Sequence, residues 1–444
     1  MKKLLFLAIF LSATLFAKAV NPSGTLPVIY ITTPSEITST EDYTNAVFYI
    51  DAKSSGYASL GQTTMKIRGR GQSSWNDYDK KPYRLKLTSG IKILDMSKSK
   101  NYALMAYADD EHAFLRATTG YKVSQLMNLA YTPDRRAVEL VLNGDYKGLY
   151  FLTETVRIDK DRVPIVKQDD NATDANIITG GWLLEIDNAD ATEQVTITDG
   201  NGNLARFTYK DPEALSNQQN AYLMNQLSSM DNAIYATDKS STDWQNYIAL
   251  DTLARYYIVQ EVMDNTEAFN SNTYLYKDRG TTSSWNFGPV WDFANALQRN
   301  EQKFIYEDSP FTPQIWIGEI AKFPAFQAKV RELWPDFYNK YHTISAHIDN
   351  FIASIKSAAA NDVQRWPDYG CSNPAAKATE FKTLLNARVK WLNEQWTGSG
   401  VEGIEFNENT PIEYYNLQGV KVANPHNGIF IKVQGGKATK INLK

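Results

Sequence analysis

A single cysteine and four histidines in 444 residues remove whole classes of chemistry. Cys371 alone makes an internal disulfide framework, a cysteine zinc site and an iron–sulfur cluster impossible, and a histidine-rich metal centre improbable. Net charge is also scarce: 46 Lys and Arg against 50 Asp and Glu leave −4, which argues against a nucleic-acid-binding surface as the main business. Beyond Ala19 no apolar run reaches the ~18 residues that suggest a membrane span. What remains, 43% hydrophobic and 22% charged residues, is an ordinary globular composition with material for a sizeable core.

The first nineteen residues stand apart. Lys2 and Lys3, the apolar run from Leu4 to Phe16, and Ala17-Lys18-Ala19 form the three regions of a secretory signal peptide. Removing them deletes three lysines and no acid, so the mature chain holds 43 basic against 50 acidic residues, or −7. No cysteine lies near the cleavage point, which excludes a lipid anchor there. The expectation is an exported protein of the periplasm or bacterial cell surface.

From Leu26 to about Asp211 short runs rich in Val, Ile and Tyr, bounded by Gly, Asn or Pro, read as strands. One helix interrupts them over 111–127. Asn143-Gly144-Asp145, between two apolar runs, predicts a tight hairpin because Asn and Gly tolerate positive φ. Helical spacing takes over from Pro212 to Met263. A second hairpin follows over 273–291, and helices resume from Pro313 to about Trp396. This order predicts an α+β protein of two lobes, with an N-lobe over about 26–211 and a C-lobe over about 212–396. After residue 400 a tail of short alternating strands (401–444) is too small to bury much core alone and reads as an attachment module.

Three segments carry candidate chemistry. The first runs from Lys66 through Arg68-Gly69-Arg70-Gly71-Gln72-Ser73-Ser74-Trp75, followed by Lys80-Lys81-Pro82-Tyr83-Arg84-Leu85-Lys86. Glycines and serines between strands offer N–H groups and hydroxyls to an anion, and neighbouring basic residues neutralise phosphate charge. Such a turn is more often simply a solvated hairpin. The second, Glu139 to Glu154, is structurally a hairpin that ends in a polar connection. The third places Glu261, Asp264, Asn265, Glu267 and Asn272 before the 273–291 ribbon and Asp292-Phe293-Ala294 after it. Oxygen side chains on two sides of a ribbon suit Mg²⁺, which takes hard oxygen ligands and bridges phosphates. Glu267 and Asn272 have the offset of a kinase catalytic loop's Asp and Asn, and Asp292-Phe293 resembles its metal-binding Asp-Phe-Gly element. Acids at helix ends and turns are usually solvated caps.

Together these motifs, with Leu115-Arg116, Thr153-Glu154 and Trp291-Asp292, resemble the CotH family, the spore-coat-protein-H-like kinases. The resemblance spans most of the mature chain. It implies a two-lobed atypical protein-kinase-like fold, and Mg²⁺- (or Mn²⁺-) and ATP-dependent phosphorylation of Ser or Thr hydroxyls on an exported protein substrate. Carried over by position, Arg68, Gly69, Gly71, Ser73 and Ser74 would sit near the phosphates, Lys86 or Lys81 would pair with them, and Glu154 would lie where the lobes join, near the adenine. Glu267 falls where the family's catalytic Asp is expected, Asp264 is grouped with it as catalytic, and Asn272 and Asp292 would be metal ligands, with Asp264 or Glu261 as the substitute for a missing metal carboxylate. The chain departs from the family pattern at two points. It has Glu267 where Asp is usual, and Ala294 where Trp-Asp-x-Asp has its second acid. A catalytically degenerate module that binds a surface polymer or a partner protein is therefore the alternative. A glycosidase is set aside, since no spacing singles out a carboxylate pair. The tail resembles the short C-terminal β modules of secreted Bacteroidetes-type proteins at Tyr415-Asn416-Leu417-Gln418-Gly419 and Asn427-Gly428-Ile429-Phe430-Ile431.

Overall fold

A computed structural model describes residues 20–112, 114–189, 191–298, 302–397, 412–416, 420–434 and 437–443. The expected signal peptide and the turns at 418–419 and 435–436 lie outside the described residues. By its internal contacts the chain divides into a large unit, 1–390, and a small one, 391–444.

The large unit begins with seven strands: β1 (Val28–Thr32), β2 (Thr44–Asp51), β3 (Leu60–Gly69), β4 (Tyr83–Ile91), β5 (Ser99–Met105), β6 (Arg135–Leu142) and β7 (Asp145–Glu154). They close into a barrel in the order β1-β2-β3-β4-β5-β7-β6. The closing seam is the parallel pairing of β1 with β6. Strict alternation drives this closure, because every second residue has to leave water. Ile29 and Ile31, Phe48 and Ile50, Met65 and Ile67, Leu85 and Leu87, Tyr102 and Leu104, Val138 and Leu140, and Tyr150 and Leu152 fill the interior. The barrel is thus a packed core. The β6–β7 turn is the expected hairpin: Asn143 and Gly144 take φ 52° and 80° and Leu142 pairs with Asp145.

The apolar run in β7 is continuous because both its faces are covered. Leu149 and Phe151 point outward onto Ile355, Ala358 and Ala359 of a long helix, α7 (Thr343–Arg365). A buried ion pair fixes that docking: Lys80 Nζ lies 2.9 Å from Asp362 Oδ2, the two side chains being 1% and 2% exposed. Asp362 Oδ1 accepts the backbone N–H of Leu149.

Beyond the barrel, β8 (Trp182–Ile186), β9 (Gln194–Thr198), β10 (Leu204–Asp211), β11 (Thr273–Lys277) and β12 (Asn286–Phe287) form a second sheet ordered β12-β11-β8-β10-β9. The mixed α+β class is as expected, but its partition differs. Strands 182–211, read as part of the N-terminal β region, share a sheet with the 273–287 ribbon, β8 pairing directly with β11. The physical reason is that a closed barrel offers no free edge, and the fully buried β8 needs a partner on each side. The helix expected over 111–127 is α2 (Leu115–Leu126). It starts later because the Asp110 carboxylate accepts N–H bonds from His112 and Arg116, which takes those N–H groups out of a helical pattern begun at 111. The other α-helices among the described residues are α1 (Ser73–Asn76), α3 (Asn217–Ile234), α4 (Leu250–Val262), α5 (Ile317–Ile320), α6 (Pro324–Lys340) and α8 (Pro374–Thr397); a capping box of Ser216 and Gln219 opens α3. No described helix is long and apolar enough to cross a membrane. The small unit carries an antiparallel sheet of Glu413–Tyr415, Gly428–Gln434 and Lys437–Leu443, close to the strands expected for the tail.

Two outcomes are expected for stability. Asp362→Ala strands a buried ammonium and should cost about 3–5 kcal/mol in denaturant unfolding, whereas Lys80→Met with Asp362→Asn, which removes both charges and keeps an acceptor for the Leu149 N–H, should recover most of the loss. Asp231 is 5% exposed, accepts the Trp316 indole N–H at 2.7 Å, and is pushed up by burial to about 6. A carboxyl raised in this way stabilises the fold fully only below its unfolded pKa, and that contribution is lost as pH rises through 6. Asp231→Asn keeps the indole acceptor and should add about 1–2 kcal/mol at pH 8 but nothing at pH 4; equal melting shifts at both pH values would contradict this.

Candidate functional site

Within the large unit, a cleft of about 790 Å³ opens between the outer face of the barrel and the second sheet with its flanking loops. Arg70, Gly71, Ser73, Ser74 and Arg84 line one wall, and Glu267, Asn272, Asp292 and Asn295 line the other. Arg157, Glu185, Asp187 and Lys210 also border it.

The barrel wall owes its shape to two glycines. Gly71 has φ +81°, and a Cβ there would meet Ser74 Oγ at 2.0 Å, so only glycine allows this turn to bring both serines to the cleft. A Cβ at Gly69 would strike the Trp75 ring at 2.6 Å; this glycine lets the indole pack down on the strand. Arg70, emerging between them, donates to the Met105 sulfur and lies 5.5 Å over the Trp291 ring. Burial weakens its hold on the proton and the charge of Asp292 strengthens it.

The opposite wall is a loop after α4 in a demanding conformation. Asp264, Phe269 and Asn272 have φ of 44°, 64° and 55°, and positive φ at a residue as bulky as phenylalanine needs support from its surroundings. Support is present: the Phe269 N–H is accepted by Thr273 Oγ1 at 2.8 Å, and its ring packs on Tyr256 and Phe287. The Asn265 side-chain amide donates to Gln260 Oε1 and to the carbonyl of Asp292, joining the two segments that bear the acidic residues. Glu267 accepts one amide N–H from Asn272 at 3.3 Å and another from Asn295 at 2.7 Å.

Carboxyl groups crowd this part of the cleft. Burial pushes the Glu267 carboxyl up to about 7, the charges of Asp292 and Asp187 add to the rise, and the two amides oppose it. Asp109 rises to about 6 from burial, with Asp292 again contributing. Crowded carboxylates facing guanidinium groups across a cleft suit a cation bound together with an anion. Asn272 and Asp292 offer the hard oxygens Mg²⁺ takes, and one or two protein carboxylates suffice when phosphate and water complete the shell. Among the described residues no group of three or more His, Cys, Asp or Glu converges as a ready-made metal cage. Ala294 supplies no side-chain oxygen; its N–H donates to Asp292 Oδ1.

The structure therefore brings together Gly71, Ser73, Ser74, Glu267, Asn272 and Asp292 of the residues singled out in sequence. The remainder lie elsewhere. Asp264 is 1% exposed and sits 3.5 Å from Arg388. Lys81 donates to the Trp75 carbonyl and covers that ring. Lys86 is exposed on β4, while Arg68 rests over Tyr43. Glu154 is buried, bonded to Tyr131 and the Asp134 N–H. None of these five, nor Gly69, borders the cleft. Arg70, Arg84, Arg157, Asp187, Lys210 and Asn295 were not singled out. One signal was available: with Tyr83, Leu85 and Leu87 facing inward, Arg84 has to face outward.

Helix α2 braces the acidic segment from behind. The Tyr121 hydroxyl donates to the Trp291 carbonyl at 3.0 Å, and a Cβ on Gly120 would meet the Phe293 ring at 2.4 Å.

A family model described as CotH kinase protein matches residues 67–392, and the chain belongs to that family. At the family level this supports a kinase-like function, which in general uses ATP and a divalent metal. Among curated proteins nothing matches the chain.

Gly120→Ala should push Phe293 away and cost about 1–3 kcal/mol in chemical unfolding. Adding Phe293→Leu should restore part of it, and strictly additive losses would refute the contact.

Proposed function

We propose that the chain is an exported atypical kinase that transfers the ATP γ-phosphate to Ser or Thr hydroxyls of exported proteins, with Mg²⁺ or Mn²⁺ bound. The barrel and the part that follows it would act as the two lobes of a kinase-like fold. One observation carries this reading: Asn272 and Asp292, which flank the β11–β12 ribbon, border the same cleft as the Gly71–Ser74 turn.

In this reading Arg70, Arg84 and Arg157 balance the triphosphate charge, while Lys210 is paired with Glu185, and Ser73 and Ser74 hydrogen-bond the phosphate oxygens. Asn272 and Asp292 hold the cation, which when bound neutralises charge developing on the transferred group. Glu267 accepts the proton of the acceptor hydroxyl while Asn272 and Asn295 fix the direction of its carboxylate. Arg68, Gly69, Lys81, Lys86, Glu154 and Asp264 have no role in phosphate or proton handling here. Export through residues 1–19 and surface attachment through 401–444 complete the proposal.

A second reading rests on Ala294 and on the longer reach of Glu267. A misplacement of about 1 Å can cost on the order of 100-fold in rate, which would leave a degenerate module that binds a surface glycan or a partner protein.

Isothermal titration with ATP and Mg²⁺, combined with radiolabelled phosphate transfer, separates the two. Asp292→Ala should abolish metal-dependent binding and lower transfer on the order of 100-fold. Absence of ATP binding at millimolar nucleotide would remove the kinase reading, and glycan binding that survives Asp292→Ala would favour the second.

A further inference from the structure

The outer face of the barrel holds an arrangement that the cleft does not explain. In the β3–β4 register Lys66 lies opposite Lys86 and Arg68 opposite Arg84. All four belong to the outward set, since Met65, Ile67, Tyr83, Leu85 and Leu87 fill the interior. Like charges directly across a strand pair destabilise a sheet, and here two such pairs follow one another. Lysine on a strand often serves to block edge-to-edge pairing. That reason is missing here, because β3 and β4 are interior strands of a closed barrel.

The ladder joins two concave surfaces. At one end Arg84 borders the cleft. At the other, Asn101, paired with Lys86 across β4 and β5, borders a groove of about 870 Å³ that also receives Lys92, Lys98, Lys100, Lys160 and Arg157. Arg157 borders both the groove and the cleft. Three acids share the groove, Asp95, Asp159 and Asp161; Asp161 is paired with Lys160. Lys66, Lys86, Lys92, Lys98 and Lys100 are exposed, and no ion pair involving them is found among the described residues. This concentration of positive charge lies on a chain whose net charge is −4.

We infer that this track binds an acidic, extended segment of the phosphoacceptor protein and delivers the neighbouring hydroxyl to the cleft. The word phosphoacceptor rests on the function proposed above; binding of the acidic segment does not. Outward residues recur about every 6.6–6.8 Å along a strand, the same repeat as alternate side chains of an extended peptide. Acids at every second position of a peptide can therefore meet successive cations without distorting either partner. Complementary charge of this kind chiefly raises the encounter rate and sets partner choice.

The test is fluorescence anisotropy on the full chain, without nucleotide, using a labelled twelve-residue peptide of alternating Glu and Ser and its Gln-for-Glu counterpart. The acidic peptide should bind at least ~10-fold tighter, and added salt should erase the difference. Lys66→Glu with Lys86→Glu should abolish the preference. Lys92→Gln with Lys98→Gln and Lys100→Gln, which introduces no new charge, should weaken it severalfold and decides the matter if the first variant does not fold. Equal binding of both peptides, or an unchanged preference in a folded variant, would overturn the inference. So would displacement of the acidic peptide by polyphosphate or a sulfated glycan at ten-fold lower concentration, which would assign the track to another polyanion. Retained peptide preference in a chain that binds no ATP would overturn the kinase reading alone.

Discussion

The geometry of the cleft depends on a buried charge pair that does not border it. Arg388, from α8, donates through Nη2 to the carboxylate of Glu261 and through Nε to the Glu261 carbonyl. Its Nη1 reaches the carbonyl of Lys303, and Asp264 stands close by. Burial pushes Glu261 toward neutrality and the guanidinium opposes that rise. Removing one partner of such a pair leaves the other charge uncompensated, at about 3–5 kcal/mol. This pair clamps the end of α4, so the loop that follows starts from a fixed point. Three residues of positive φ can then be held within nine positions, and Glu267 and Asn272 arrive at the cleft in a set orientation.

A second constraint comes from barrel closure. Once β1 and β6 pair, β3, β4 and β5 must present alternate residues to the cleft and to solvent, and the Arg70–Ser74 turn is fixed at the end of β3. Lys80 and Asp362 tie α7 to the same barrel. The cationic wall is thus a consequence of sheet register, whereas the anionic wall is a consequence of helix-end clamping and loop strain. Between them, the charge of Asp292 strengthens the hold of Arg70 on its proton.

Much of this was legible in the sequence, though unevenly. The Asn143-Gly144 hairpin was readable because its signal is local: two residues that accept positive φ between apolar runs. The Gly71, Ser73 and Ser74 turn, and the set of Glu267, Asn272 and Asp292, were readable from residue type and spacing. Asp264 was misleading. An acid three residues before Glu267 looks equivalent in a linear chain, yet its φ of 44° and the proximity of Arg388 place it in the core. Lys81, Lys86 and Glu154 also lie away from the cleft: Lys81 donates to the Trp75 carbonyl, Lys86 is exposed on β4 and Glu154 is buried beside Tyr131.

By itself the sequence determined the local terms: which runs alternate, where the turns fall, that the class is α+β, and which oxygen-bearing residues were candidates. Those properties depend on neighbours a few positions apart. Tertiary structure alone decided that the first seven strands close on themselves and that strands 182–211 join the ribbon at 273–287. It also decided that Arg84 faces the cleft, that Asp264 turns inward and that Asp362 neutralises Lys80. Each of these is a pairing between segments distant in sequence, set by which strand edges remain free and which buried charges find a partner, and residue order does not encode such a choice in any single window.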